Sequence, residues 1–493
     1  MSLDKKEGAM EFARLINEED ISASLEIKGL TLDSRMVRPG YLFAALSGEE
    51  VDGASFIESA ISKGAVAILT GNDVPSNFEG ATHIKRDNPR QAFSKMAAKY
   101  YGAQPKTIAA ITGTNGKTSV ADFTRQLWSI MGKRSASIGT LGVKSDGLTL
   151  SGGGLTTPDP IALYELLSAL KNQKTDFVGL EASSHGLEQC RLDGVDVSIA
   201  AFTNLTRDHL DYHGTLRAYF AAKLRLFEDL LPVDGVAVLN SNADFGEYIL
   251  RHCRARGLKT ITVGSKGADI EILKADPLPE GQIISFGFEN EEFSLMLPLI
   301  GGFQAENALL AAGIVIASGE VAEDVFKALA RLDGVPGRME YAGTTEKGGV
   351  VFVDYAHTPD GLRAALIAAK HHALGRLSVV FGCGGDRDKG KRAKMGAIAE
   401  RLADIVFVTD DNPRSEKPSA IRAEILVAAP SAMETKDRTS AIIEAVEKLE
   451  KGDLLLVTGK GHEEGQTIGD TVFPFSDFEE VQKAILMARD GGQ

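Results

Sequence analysis

Along the first hundred residues, apolar and polar positions alternate in short bursts separated by Gly and Pro. The stretch 30–46 ("LTLDSRMVRPGYLFAAL") predicts strand, turn, strand, and 54–71 predicts a helix that stops at Gly64 and a buried strand after it. A helical period over 88–102 ends at Gly102, and "AQPKT" (103–107) reads as a linker. From Thr107 the pattern becomes strand and helix in turn. "TIAAIT" precedes a helix from Lys117 to about Met131, with Val120, Phe123, Leu127 and Met131 on one face. Further strands are predicted at 176–182, 197–205, 235–240 and 259–264, antiparallel strands across 269–299, and helices near 303–318 and 321–333. "DGVPGRME" (333–340) is a second break, after which "GVVFVDYA", "LSVVFGCGG", "DIVFVTDD" and "DLLLVTGKG" alternate with helices.

Such alternation predicts an α/β protein with parallel sheets, helices on both faces and ligands at the carboxyl ends of strands. The boundaries divide the chain into 1–106, 107–336 and 337–493. The expected architecture is an N-terminal α/β domain, a central P-loop domain with added antiparallel strands, and a Rossmann-like C-terminal domain.

Composition narrows the function. A net charge of −14 over 493 residues disfavours nucleic acid or an anionic membrane as the main partner. No apolar run approaches the ~18 residues of a membrane span. The N-terminal stretch lacks an apolar signal core, and three cysteines (Cys190, Cys253, Cys383) without CxxC spacing fit ordinary thiols in a reducing, cytoplasmic setting.

The candidate chemistry begins at "TIAAITGTNGKTS" (107–119). Gly113 and Gly116 let backbone N–H groups turn toward a phosphate at a helix N-terminus. Lys117 can meet terminal phosphates and Thr118 can offer a hydroxyl to Mg²⁺. The first glycine of the common P-loop spacing is absent, since its place is taken by Ile111. Glu181, at the end of a predicted strand, has the chemistry of a Mg²⁺ ligand and equally of a surface acid.

The spacing T-G-T-x-G-K-T/S resembles that of the Mur ligases, shared with folylpolyglutamate synthases, and the likeness extends along essentially the whole chain. It implies ATP-dependent amide formation through an acyl phosphate. It implies ATP contacts from Gly113, Thr114, Asn115, Gly116, Lys117, Thr118, Ser119, Asn307, Arg338, Asp354 and His357. In "GGFQAENALLAA" (301–312), Gln304 stands where the family pattern has Asn. The resemblance further implies Mg²⁺ at Thr118, Glu181, His209 and Lys223, the last as a carbamylated lysine. Lys117, Lys223, His209 and Glu181 are the implied catalytic set.

The long segment before the P-loop resembles the uridine-nucleotide domain of cell-wall members rather than the folate enzymes. "TLDSRMVRPGYLFAALSG" implies uridine-side contacts at Leu32 and Ser34, with the loop 48–53 near the diphosphate. Thr156, Thr157, Ser183, Gln189 and Arg191 match contacts to a muramoyl dipeptide. "VTDDNPRSE" (408–416) resembles the D-N-P-R of members that add meso-diaminopimelate; lysine-adding members lack the arginine. A guanidinium suits the distal carboxylate by which diaminopimelate differs from lysine. The implied amino-acid site comprises Arg387, Asp411, Asn412, Pro413, Arg414, Gly459 and Glu463. The expected partners are therefore UDP-MurNAc-L-Ala-D-Glu and meso-diaminopimelate, bound by a monomer, with the lysine-adding ligase as the alternative.

Overall fold

The computed structural model describes residues 9–16, 25–48, 51–75, 77–145, 148–150 and 154–490. The chain divides into two compact units, Met1–Thr262 with Gly313–Glu320, and Val263–Ala312 with Val321–Gln493.

The first unit is built around one parallel sheet and one that is parallel at its centre with antiparallel strands at one edge. In one, Gly29–Thr31, Tyr41–Ala44, Ala65–Thr70 and Thr82–Lys85 lie side by side in chain order. The helix Pro89–Tyr101 follows, started by Asn88, whose side chain accepts from Gln91 N, and by Pro89 in its first turn. The other sheet has Thr107–Thr112 between Phe177–Glu181 and Val197–Phe202, with Ser135–Gly139 and Val236–Asn240 outside them. Every residue of Ile108–Thr112 is fully buried, as expected of a central parallel strand covered on both faces. The predicted 30–46 and 54–71 elements form as read, as does the helix Lys117–Ile130. On that helix Val120, Phe123 and Leu127 are fully buried, and so is Trp128. Trp128 donates through Nε1 to Ser318 Oγ at 3.0 Å and leans on Phe177, ring centroids 5.3 Å apart.

In the second unit, Ile270–Leu278, Gly281–Phe288 and Glu291–Leu297 make the expected antiparallel meander. Phe286 and Phe293 stack on one another and both pack on Phe326 of the helix Ala322–Leu329. A six-stranded sheet follows in the order Glu340–Thr344, Val350–Asp354, Leu454–Thr458, Leu377–Phe381, Ile405–Val408, Met433–Glu434. Only its first strand runs antiparallel to its neighbour. The strand order reverses around Leu454–Thr458, so the loops after Asp354, Phe381, Val408 and Thr458 open at one edge, where α/β sheets bind ligands. Among the described residues, no helix is long and apolar enough to cross a membrane. All three cysteines are buried free thiols.

Candidate active site

The strand Thr107–Thr112 runs straight into the loop 113–116 and the helix that begins at Lys117. Ile111 belongs to the sheet: it is fully buried and its carbonyl accepts from Ala182 N. The missing glycine thus reflects a shorter loop that begins only at Gly113. Gly113 has φ +148° and Gly116 +86°, conformations open to glycine. A Cβ on Gly113 would sit 1.9 Å from Thr203 Oγ1. Asn204 clasps the loop from the neighbouring strand end: its carbonyl accepts from Thr114 N at 2.8 Å and its Oδ1 from Asn115 N at 2.9 Å. Ser119 is buried within the helix's first turn.

Lys117 Nζ donates to the carbonyls of Gly113 (3.0 Å) and Thr114 (2.8 Å). Lys223, only 1 % exposed, donates to the same Gly113 carbonyl at 2.7 Å and lies over the Tyr219 ring. Burial, and next the charge of Lys117, push the Lys223 ammonium well below its ordinary pKa. The Thr118 hydroxyl donates to Glu181 Oε2 at 3.1 Å, and Thr140 donates to both Glu181 oxygens, through N at 2.9 Å and Oγ1 at 3.2 Å.

A hydroxyl and a carboxylate at a strand end beside a phosphate loop are oxygen donors of the kind Mg²⁺ takes together with phosphates and water. Lys223 as an ammonium carries the wrong charge for that role, and its lowered pKa favours the neutral amine. His209 adopts a left-handed φ of +51° and sits in an aromatic cluster, 5.0 Å from the His185 ring and 6.1 Å from the Tyr219 ring. Burial and the neighbouring His209 and His213 lower the pKa of His185. Among the described residues, no three His, Cys, Asp or Glu side chains form a ready metal cage.

The residues expected at the dipeptide come together behind Glu181. Thr157 Oγ1 donates to the Glu181 carbonyl (2.8 Å) and meets Ser183 Oγ at 3.0 Å. Arg191 donates to the Thr157 carbonyl (2.6 Å) and to Gln189 Oε1 (2.7 Å), while Thr156 Oγ1 lies 3.2 Å from Thr140 Oγ1. Leu32 and Ser34 sit apart from this group, at the end of the strand Gly29–Thr31, where the Ser34 carbonyl accepts from Lys63. Glu49 and Glu50 of the predicted diphosphate loop lie outside the described residues. Beside that loop, a cavity of about 410 Å³ is lined by Leu46, Ser47, Asn72, Asn88 and Arg90.

In the second unit, Gln304 explains its own departure from the family's Asn. It is buried, accepts from Asn307 Nδ2 at 3.0 Å and donates to the Arg338 carbonyl at 3.1 Å, so the longer amide bridges two implied ATP contacts. The Arg338 guanidinium lies 4.6 Å from the Tyr355 ring centroid, with its buried Nε unpaired. Asp354 accepts from Met339 N and Ala356 N at 2.8 Å each, and His357 Nδ1 lies 2.9 Å from the Tyr355 carbonyl.

At the ligand edge of the six-stranded sheet, Arg414 is held in a left-handed φ of +49°. Its N donates to Thr467 O, its carbonyl accepts from Gly469 N, and its Nη1 donates to Gly385 O at 2.7 Å. Two basic side chains approach Gly384: a Cβ there would lie 2.8 Å from Arg414 Nη1 and 3.9 Å from Arg387 Cγ. Gly385 is required by the Pro413 carbonyl, 2.0 Å from where its Cβ would be. Gly459 (φ +116°) packs against the Asp411 carboxylate, and Asn412 donates through Nδ2 to Glu463 Oε2 at 2.9 Å. Residue types alone do not mark Thr140, Asn204 or Lys460 as members of these clusters. The Gly-Lys-Gly setting of Lys460 was the one available signal.

Fold and site together define a nucleotide-dependent α/β enzyme with a phosphate loop. The family comparisons match residues 26–101 to the "Mur ligase family, catalytic domain", 111–315 to the "Mur ligase middle domain" and 337–461 to the "Mur ligase, glutamate ligase domain". Proteins named UDP-N-acetylmuramoyl-L-alanyl-D-glutamate–2,6-diaminopimelate ligase align over nearly the whole chain. The one from Bradyrhizobium diazoefficiens is 50% identical over 471 residues, 95% of this chain and 96% of its own. The one from Rhizobium meliloti is 48% identical over 464 residues, 94% and 95%. A solved structure of a ligase of that name superposes with a TM-score of 0.74 at 34% identity, covering 98% of this chain and all of its own. The MurF ligase of Thermotoga maritima with ADP shares the fold, with a TM-score of 0.59 at 20% identity over 94% of this chain and 98% of its own. The chain belongs to the Mur ligase family. It is a ligase with that family's three-domain α/β fold.

Proposed function

We propose that the chain joins meso-diaminopimelate to UDP-MurNAc-L-Ala-D-Glu at the expense of ATP, in the cytoplasm, as a step of peptidoglycan synthesis. We place its domain boundaries after residues 106 and 336. The observation that carries the substrate assignment is the Arg414 guanidinium beside Gly384, with the Arg387 side chain near the same glycine, in a loop set that also presents the Glu463 carboxylate. Diaminopimelate bears both a distal carboxylate and a distal ammonium, and this set offers a partner for each. Lysine would leave a guanidinium without its carboxylate, which is costly.

A carboxylate in water does not condense with an amine. The γ-phosphoryl of ATP passes to the glutamyl carboxylate and ADP leaves; the amine attacks the acyl carbon, phosphate departs, and the nitrogen gives up its extra proton. Lys117 and the backbone of 113–116 are suited to hold the transferring phosphates, so catalysis is chiefly positioning and charge stabilisation. Thr118 and Glu181 would hold Mg²⁺, joined by His209 and carbamylated Lys223; the ion's chemistry is neutralisation of phosphate charge. Asn307, Arg338, Asp354 and His357 are assigned to the nucleotide. Thr156, Thr157, Ser183, Gln189 and Arg191 are assigned to the dipeptide, and Leu32 and Ser34 to uridine.

The test is phosphate release from ATP in the presence of the UDP-muramoyl dipeptide, comparing meso-diaminopimelate with L-lysine. Release with diaminopimelate and little with lysine is expected. Release with lysine alone would overturn the specificity.

A further inference from the structure

Lys460 is fully buried, yet its ammonium ends among side chains assigned to the amino acid. It donates to Asn412 Oδ1 and to Glu463 Oε2, each at 3.1 Å. We infer that Lys460 is a positioning residue for the amino-acid site, orienting Asn412 and Glu463 so that one carboxylate oxygen, Glu463 Oε1, is left to receive the ammonium of the incoming amino acid. The inference rests on the assignment of Glu463 to that ammonium.

The turn that delivers Lys460 inward is built for the purpose. Gly459 and Gly461 flank it with φ of +116° and +55°. A Cβ on Gly461 would come within 2.8 Å of Tyr355 Cα, and one on Gly459 within 2.7 Å of Asp411 Oδ2. At Gly461 the main chain of Tyr355 leaves no room for a side chain, and at Gly459 the positive φ and the Asp411 carboxylate disfavour one, so the turn that carries Lys460 inward is held in shape.

Its ammonium then decides how Asn412 faces. Asn412 Oδ1 receives two donors, Lys460 Nζ and Thr467 N (2.9 Å), so a flipped amide would put an NH₂ against two N–H groups. With Oδ1 so held, Nδ2 points to Glu463 Oε2. That oxygen thus accepts from two donors, Asn412 and Lys460, on the protein side. Among the described residues Oε1 accepts from none, and the Glu463 side chain is 34 % exposed. A carboxylate held at one oxygen presents the other in a set direction, which is what recognition of a single ammonium requires. Take away the lysine and Asn412 Oδ1 keeps only Thr467 N as its anchor, while Glu463 gains alternative rotamers. The charge at Glu463 remains, but its direction does not.

The test uses the full-length enzyme and four variants: Lys460→Met, Lys460→Arg, Glu463→Gln and the double variant Lys460→Met/Glu463→Gln. KM for meso-diaminopimelate, KM for ATP and kcat are measured for each. Lys460→Met is expected to raise KM for the amino acid about tenfold or more, with KM for ATP within about twofold of wild type. Lys460→Arg, which keeps the cation, is expected to recover most of that loss. In the Glu463→Gln background, adding Lys460→Met is expected to change KM less than about twofold, because the group through which it acts is already gone. Equal losses in both backgrounds, or a loss shared between ATP and the amino acid, would make Lys460 a structural ion pair and overturn the inference. If Lys460→Met does not fold, the comparison of Lys460→Arg with Lys460→Gln in the two backgrounds is read in the same way. A wild-type enzyme that takes lysine instead would overturn the substrate assignment alone. The same variants are then read with lysine, whose ε-ammonium Glu463 would meet.

Discussion

Lys117 and Lys223 converge on one acceptor: their ammonium nitrogens lie 3.0 and 2.7 Å from the carbonyl oxygen of Gly113. Burial first, and next repulsion from Lys117, lower the Lys223 pKa. Because the folded pKa lies below the unfolded value of 10.5, the penalty for charging Lys223 is absent above that pH and grows as pH falls toward the folded value. The amine is accordingly reactive toward CO₂ well below pH 10.5. Enzyme stripped of bicarbonate is expected to lose activity and to regain it on re-addition, while Lys223→Arg is expected to stay inactive under both conditions. Activity indifferent to bicarbonate would exclude a carbamate.

Lys117→Met should lower ATP turnover by roughly a thousandfold or more, since a charge aimed at the transferring phosphoryl group is lost. The same change removes the second cause of the depressed Lys223 pKa, so that pKa should rise toward the ordinary value. Lysine-selective labelling across a pH series reads the second effect and steady-state phosphate release the first.

Gly113→Ala combines a left-handed φ of +148° with a Cβ 1.9 Å from Thr203 Oγ1. It should destabilise the protein by at least about 2 kcal/mol in urea unfolding and abolish nucleotide binding. A variant of wild-type stability that still binds ATP would show that the loop rearranges freely.

Arg414→Ala should raise KM for meso-diaminopimelate about 10- to 100-fold and shrink the preference over lysine, leaving KM for ATP near wild type. Paired titrations with the two amino acids measure it. An equal loss for both would move Arg414 out of the carboxylate-reading role.

Glu416 joins the fully buried Arg392 at 2.9 Å. Chiefly through that hydrogen bond, and next through Asp386 N–H, its pKa drops from 4.5 to about 2. A depressed acid stabilises the fold above its unfolded pKa, and the contribution is lost as pH falls from 4.5 to about 2. Glu416→Gln should lower stability at neutral pH and flatten the stability–pH curve across that acid window. Chemical denaturation at stepped pH tests it.

The strands and helices that carry the chemistry were legible because their apolar periods are strong and their stops are Gly or Pro, as at Gly102 and at the Gly113–Gly116 turn. Other parts were not. The strands Ser135–Gly139 and Gly142–Ser145 mix Ser, Lys and Gly; the first owes its place to Phe177–Glu181 further along the chain, and the second pairs back on the first. The hairpin Gly465–Ile468 and Thr471–Pro474 did leave a trace, in the two-residue Gly-Asp turn between its strands. Its role in holding Arg414 was invisible, because main-chain hydrogen bonds such as that from Arg414 N to Thr467 O need no particular side chain. Thr140 was hidden for a related reason: a lone threonine says nothing until the fold sets it against Glu181. The family motifs supplied which residues to look for; the geometry supplied which of them touch.

The chain has one tryptophan, and it lies entirely inside the unit that carries the phosphate loop, on the helix begun by Lys117 and bonded to Ser318. Its emission is therefore a private reporter. Fluorescence followed through a denaturant titration registers only the melting of that unit, whereas far-ultraviolet circular dichroism sums both. Superimposable transitions from the two probes mean that the ligase unfolds as a single cooperative body; a gap between them dates the loss of the phosphate loop separately from the loss of the rest.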